Sequence, residues 1–271
     1  MAWAGDHGEY KVLVDALLYH YEKAALTIRL NTVRPDKCVV VEGDHTFQGE
    51  RCKPTFDRVA WQKAYPEVEF THVVLPITPH KDPWYNEYYL RNILGNIAAD
   101  QCDGPNDYVF LSDADEFATS TDIMRLASPD GPVWLPTAHH YYWTVDWEFV
   151  GGKYECAPFV VPGYKLRERN AQRFRFGEDT VDSVHLGWEF SFLGGIEFAQ
   201  EKYNSFAHRE LNKEEVTNAD RIADAIKKGL DPSPERGLYL KPRSSLAATL
   251  PRWLRSNQEW IHKHKLSRLD W

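Results

Sequence analysis

The chain has 271 residues, 43% of them hydrophobic and 14% aromatic, with ten Trp. That is enough for one large α/β core with a small appendage, and the aromatic excess suits both core packing and the stacking of sugars or bases. The formal net charge of −8 excludes a generally basic nucleic-acid binder.

The charge is uneven. From Arg236 onward eight Lys and Arg face two acids, a net +6, which leaves −14 for the rest. A basic tail on an acidic body could contact an anionic acceptor, although a solvated helix face is the more usual reading of such a run. Cys38, Cys52, Cys102 and Cys156 form no CxxC pair, so neither a zinc knuckle nor a redox motif is indicated. Reduced thiols, no basic-then-apolar leader and no apolar run of bilayer length predict a cytoplasmic protein without a membrane span.

In chain order, Val12 to Tyr19 is an apolar, strand-compatible run, followed by a helix carrying Glu22, Leu26, Arg29 and Leu30. Cys38 to Glu42 reads as a buried strand, Phe56 to Ala64 as a helix ended before Pro66, and Glu69 to Leu75 as a strand. Trp84 to Ala99 is a long amphipathic helix, and Tyr108 to Leu111 is another buried strand. This alternation predicts a mostly parallel sheet flanked by helices. Val133 to Trp143 and Tyr154 to Val161 look like strands of a mixed region. Helices are expected from Gly194-Gly195 to Phe206, over Lys213 to Lys228, and over Leu246 to His264, with Pro232-Ser233-Pro234 as a linker.

The strand at 108–111 leads straight into Ser112-Asp113-Ala114-Asp115-Glu116. Two aspartates one residue apart, past a buried strand, can both turn toward one cation. Mg²⁺ and Mn²⁺ commonly take one or two carboxylates plus phosphate oxygens, and such an ion neutralises charge on a departing diphosphate. Asp-x-Asp also serves as a turn or cap. Its position at the carboxyl end of a strand, where α/β folds bind ligands, favours chemistry.

Around this motif the sequence resembles glycosyltransferase family 17, whose best-known member is the bisecting beta-1,4-mannosyl-glycoprotein 4-beta-N-acetylglucosaminyltransferase. Ser112 to Glu116 resembles the family's acidic motif. Val40-Val41-Glu42-Gly43-Asp44-His45-Thr46-Phe47-Gln48-Gly49 is similar to its Val-x-Glu-x-x-x-Thr-Phe-x-Gly segment, and Leu90-Arg91-Asn92 to its Gln-Arg-Asn run. Gly187-Trp188, Gly194-Gly195-Ile196, Lys202, Ser205-Phe206 and His208 are similar to a further block, and Glu22 and Arg29 fit as well. The matched stretch runs from about Val12 to Asn212. Glu189 stands where the family has His after Gly-Trp, and no match is expected beyond Asn212.

The resemblance implies a GT-A nucleotide-diphosphosugar transferase fold over 1–230, with a nucleotide-sugar half at about 10–130 and an acceptor half at about 131–230. A basic helical tail would follow at 231–271. It also implies a nucleotide-sugar donor, Mn²⁺ or Mg²⁺, and inversion at the anomeric carbon. Asp115 becomes the expected metal ligand, with Asp113 acting through water or the donor ribose and His208 as a third ligand. Glu42 and Thr46 would meet the nucleoside, and Arg91 the diphosphate or the acidic motif. Trp188 would stack on a ring, and Gly194 and Gly195 would let backbone amides approach an anion. Glu189 is the expected catalytic base, with Asp179 and Asp182 as rivals. Structural roles remain open for each of these residues.

The leading reading is an inverting hexosyl- or N-acetylhexosaminyltransferase using a UDP-sugar on a glycan hydroxyl. A second is the same chemistry on hydroxymethylated pyrimidines of viral DNA, which would have to be flipped out of the helix. A third is an inactive sugar-binding module. A two-metal phosphohydrolase lacks the necessary ligand cluster.

Overall fold

The computed structural model describes residues 11–151, 156–167, 170–231 and 239–271. Its first half alternates strand and helix: β1 (Leu13–Leu18), α1 (Lys23–Val33), β2 (Lys37–Gly43), α2 (Arg58–Ala64), β3 (Glu69–Leu75), α3 (Pro83–Asp100) and β4 (Tyr108–Asp113). Next come β5 (Glu116–Phe117), α4 (Ser120–Leu126), β6 (Val133–Trp134), β7 (His139–Tyr142), β8 (Trp147–Phe149) and β9 (Phe159–Pro162). Helices α5 (Gly163–Leu166) and α6 (Ala171–Arg175) precede β10 (Asp182–Ser183) and β11 (Trp188–Ser191). The chain continues through α7 (Gly195–Ser205), α8 (Glu214–Thr217), α9 (Ala219–Lys228), β12 (Leu240–Pro242), α10 (Arg252–Ser256) and α11 (Gln258–Lys263).

The strands form two sheets. The larger has the order β10-β6-β9-β4-β1-β2-β3, and the smaller β12-β8-β7-β11-β5. Strands β4, β1, β2 and β3 run parallel, while β9 is antiparallel to both β4 and β6. The β1, β2 and β4 runs are apolar on both sides because helices cover both faces. Leu90, Leu94 and Ala98 of α3 cover one face, with Val14, Val39 and Val109 beneath them. Ile28 and Val33 of α1 pack with Phe110 on the other. Parallel order puts the ends of β1, β2 and β4 along one edge, and β5 and β11 bring the smaller sheet to that edge.

The helix starts follow local chemistry. The Asp57 carboxylate accepts from Ala60 N and begins α2, while Asp82 followed by Pro83 begins α3. A Cβ on Gly95 would lie 2.9 Å from the Ala171 side chain, so the glycine admits α6 closely against α3. That contact carries Arg175 toward the end of β4.

The second half departs from expectation at three places. The expected strand over 133–143 divides into β6 and β7, which belong to different sheets. The helix expected over 213–228 breaks at Asn218, whose side chain accepts from Arg221 N and caps α9. The helix expected over 246–264 is two short helices parted at Asn257 (φ −128°, ψ 51°). Of the strand expected over 154–161, residues 159–161 lie in β9 and residues 154–155 fall outside the described residues, as does the 232–234 linker. The expected tail is packed into the body. β12 pairs with β8, and Leu250, Leu254, Ile261 and Leu266 are buried in the same cluster as Ile28, Phe110 and Phe190. None of the described helices is long and apolar enough to cross a membrane.

Candidate active site

The turn after β4 is built rigidly from behind. Arg29 on α1 is fully buried, and its Nε donates to Asp15 Oδ2 at 2.8 Å. Its Nη1 donates to the carbonyls of Asp113 and Glu116 at 2.7 and 2.8 Å, and Ser112 Oγ donates to the same Glu116 carbonyl at 2.7 Å. A charged guanidinium paired with Asp15 thus braces both ends of the Asp113–Glu116 turn. The turn carries the chain from β4 in the larger sheet to β5 in the smaller one, where Glu116 and Phe117 pair with Glu189 and Trp188.

Asp113 sits in a clamp of two guanidinium groups. Arg91 Nη2 lies 2.7 Å from Oδ1, and Arg175 Nη2 lies 2.9 Å from Oδ2. Burial would raise the Asp113 carboxyl, but Arg175 and Arg91 outweigh it and hold it well below the usual carboxylate range. Arg91 is anchored by Glu87 at 2.7 Å and Gln172 at 2.6 Å, while Arg175 also pairs with the Glu116 carboxylate. Of the two contacts expected for Arg91, the structure contains the one to the acidic motif. Arg91 Nε and Arg175 Nε are buried without a hydrogen-bond partner, so the clamp has more donors than protein acceptors.

Asp115 has a different partner. The ammonium of Lys202, on α7, lies 2.7 Å from its Oδ2, and both side chains are largely buried. Burial alone would lower the Lys202 ammonium, but Asp115 and then Glu22 hold it raised. The ammonium also sits 5.3 Å from the Phe192 ring centre and 5.9 Å from that of Phe198. Glu22 is pushed up to about 7 by burial, partly offset by Lys202 and increased by Asp115.

Glu189 lies on β11 across from the motif. Ser191 Oγ donates to its Oε1 at 2.8 Å, and His140 Nε2 on neighbouring β7 is 3.2 Å from the same oxygen and 3.0 Å from Ser191 Oγ. Burial, followed by the negative charge of Asp115, pushes the Glu189 carboxyl up to about 7. A carboxyl in this range can exchange protons near neutral pH.

Other sequence-predicted residues lie elsewhere or are committed to the fold. Glu42 accepts from Thr55 N at 2.7 Å, Thr55 Oγ1 at 3.0 Å and Phe56 N at 3.1 Å, and His72 Nε2 lies 2.8 Å from it. Its carboxylate therefore organises the loop after β2. Thr46 Oγ1 accepts from Glu50 N at 3.2 Å within a turn. Trp188 Nε1 donates to the Thr249 carbonyl, and its half-buried ring packs near Phe117. Asp179 pairs with the exposed Arg173 at 3.2 Å, and Asp182 is exposed on β10. His208 lies 2.7 Å from Glu210 and meets Trp84 edge-on, with no bond to Asp113 or Asp115. Gly194 and Gly195 (φ +87°) open α7 without a side-chain cap, and a Cβ on Gly194 would lie 2.7 Å from the Phe198 ring.

A cleft of about 430 Å³ opens beside the start of α1. Tyr21, Lys23, Gly194, Phe198, Trp260 and His264 line it, so the α1 start, the α7 start and the C-terminal segment share one concavity. Tyr21 adjoins Glu22, and the Phe198 ring faces Lys202.

The donor set fits a hard dication in one particular way. Among the described residues no group of three or more His, Cys, Asp or Glu side chains is gathered to hold a metal ion. His208 thus does not complete a preformed cage. Asp115 Oδ1 carries no hydrogen bond from the described residues, and the nearby Glu22 and Glu189 carboxyls are both raised, with Asp115 contributing. Excess carboxylate charge with one or two ligands suits Mg²⁺ or Mn²⁺ completed by phosphate oxygens and water.

The comparison with protein families gives the class first: the chain is a glycosyltransferase. Residues 2–260 match the model of Glycosyltransferase family 17, and the chain belongs to that family. The match continues well past Asn212, where the resemblance was expected to end. A comparison with curated proteins returned no match.

The partners of the two aspartates were not all visible beforehand. Arg175 comes from 62 residues beyond Asp113, in a polar stretch without a motif. Lys202 lies within a block that carried the resemblance, and its spacing alone gave no sign of the Asp115 contact. His140 was read only as part of a strand.

Proposed function

We propose that the protein is a metal-dependent, inverting glycosyltransferase with a GT-A type domain. It transfers a hexosyl or N-acetylhexosaminyl group from a nucleoside diphosphate, foremost a UDP-sugar, to a glycan hydroxyl. The supporting observation is the acidic turn at the end of β4, ringed by Arg91, Arg175 and Lys202, in a chain of family 17.

Asp115 would hold Mn²⁺ or Mg²⁺, with Asp113 acting through water or the donor ribose. When bound, the ion supplies Lewis-acid neutralisation of the leaving diphosphate. The chain's own residues do the rest. Arg91 and Arg175 fix the Asp113 carboxylate, and their surplus donors add positive potential where an anion is to sit. Glu189, oriented by Ser191 and His140, removes the acceptor hydroxyl proton on the side opposite the leaving group. The acceptor glycan approaches through the adjoining cleft, where Tyr21, Phe198 and Trp260 offer rings to the apolar faces of sugars. A glycan is favoured over modified DNA because Arg243 of the basic tail is engaged by Glu148 and Arg268 lies over the Trp147 ring. The four free thiols agree with a reducing, cytoplasmic setting.

The test is a donor panel. Purified protein is incubated with UDP-, GDP- and TDP-sugars, with Mn²⁺, Mg²⁺ or EDTA, and with glycan or hydroxymethylated DNA. Cation-dependent nucleoside diphosphate release, stimulated by glycan, is expected. No release from any donor would refute transfer, and stimulation by DNA alone would reassign the acceptor.

A further inference from the structure

We propose that Lys202 is an exchangeable internal counter-ion that competes with the metal for Asp115 and moves to the donor diphosphate when the cation binds. The inference rests on the metal-dependent reading above. It concerns how that site is loaded, and its core is one geometric fact: the Lys202 ammonium already lies 2.7 Å from Asp115 Oδ2.

The surroundings of the two aspartates argue for exchange at one and permanence at the other. Asp113 is gripped on both oxygens by guanidinium groups that are themselves anchored, Arg91 by Glu87 and Gln172, Arg175 by Glu116. Planar guanidinium forks held at several points cannot leave without stranding buried carboxylates. Among the described residues Lys202 makes one hydrogen bond, to Asp115, on a flexible four-carbon stem, and it lies over the Phe192 and Phe198 rings. A compact ammonium can pivot between acceptors at small cost. Its other charged neighbours are Glu22, from the β1–α1 connection, Asp113 and Glu189.

A dication approaching Asp115 would meet the positive charge of Lys202 at close range, which opposes binding. A nucleoside diphosphate removes that opposition by offering phosphate oxygens to the ammonium. Metal and nucleotide then bind with positive coupling, each improving the other's affinity by the same factor. The cation is therefore recruited with the donor, and the enzyme discriminates against a sugar or nucleoside that lacks a diphosphate.

The experiment measures Mn²⁺ binding by the electron paramagnetic resonance of free Mn²⁺, and UDP binding by calorimetry, for wild type, Lys202→Met, Lys202→Gln and Lys202→Arg. Folding is checked by circular dichroism. For wild type, Mn²⁺ binding alone should be weak and should tighten with UDP. Lys202→Met should bind Mn²⁺ without UDP about tenfold more tightly than wild type, yet bind UDP in EDTA about tenfold more weakly. These opposite signs are not expected of a merely structural lysine. Lys202→Gln should follow Met in both signs, and Lys202→Arg, whose fork leaves Asp115 less readily, should bind Mn²⁺ no more tightly than wild type. If Mn²⁺ affinity without UDP is unchanged or lower in both neutral variants while wild type still recruits Mn²⁺ with UDP, the Lys202 proposal is overturned and the metal reading stands. If neither variant folds, wild type decides: Mn²⁺ binding equally tight with and without UDP overturns the proposal. No Mn²⁺ binding by wild type even with UDP removes the metal reading itself.

Discussion

Two carboxylates at the same edge of the main sheet are held in opposite ways. Glu42, in β2, takes three hydrogen bonds from the 55–56 loop and a fourth contact from His72, all short and none from a Lys or Arg. Asp115, after β4, is countered by a single lysine ammonium from 87 residues away. The first carboxylate is held by fixed donors that order the 55–56 loop. The second is balanced by one ammonium, which under the proposal above a cation replaces. Sequence reading assigned both to the donor site because both follow buried strands, and residue type does not reveal how a carboxylate is satisfied.

The sharpest way to break this contrast is to remove Asp115. Asp115→Ala should lower kcat/KM by at least about 10³-fold, the scale of losing several kcal/mol of charge stabilisation, while the circular dichroism spectrum is unchanged. Near-normal turnover would show that the exchangeable carboxylate is not the metal ligand. Glu189→Gln should lower kcat by about 10²-fold or more. Wild-type activity should fall as pH drops through about 7, because the raised Glu189 carboxyl becomes protonated and can no longer accept a proton. A cation at Asp115 moves that limb to lower pH, and the Gln variant should lose it altogether.

Arg175→Met probes the permanent clamp. It leaves Glu116 without its buried partner and Asp113 with Arg91 alone, and should cost about 3–5 kcal/mol in urea denaturation. Glu42→Gln should cost about 1–3 kcal/mol of stability by disturbing the 55–56 loop, yet leave the donor KM within about twofold of wild type. A large KM change with normal stability would move Glu42 back to the donor site. The smallest effect is expected at His208, where the Ala variant should hold Mn²⁺ and UDP within about twofold of wild type, since its polar partner is Glu210.

The first half of the fold was legible because its strands are buried on both faces and read as plain apolar runs between capped helices. The acidic turn was legible because it follows such a run. The second half was not, because β6, β8 and β10 are only two or three residues long, too short for a periodic pattern. Asn218 broke an otherwise helical pattern by capping. The tail looked separate because its charge is basic, yet its buried Leu250, Leu254, Ile261 and Leu266 sit at spacings that reveal no partner. Motif and residue type singled out Asp113, Asp115, Arg91 and Glu189, which the structure gathers around the turn after β4. Arg175, Lys202 and His140 reach the centre through tertiary packing alone, which no local pattern encodes.

The central claim is that Asp115 holds a cation which the donor diphosphate completes. Calorimetric titration of UDP into wild type with Mn²⁺, wild type with EDTA, and Asp115→Asn with Mn²⁺ tests it most directly. Tight binding is predicted only in the first case, with the other two weaker by about tenfold or more and similar to one another. Equal UDP affinity in all three would contradict it.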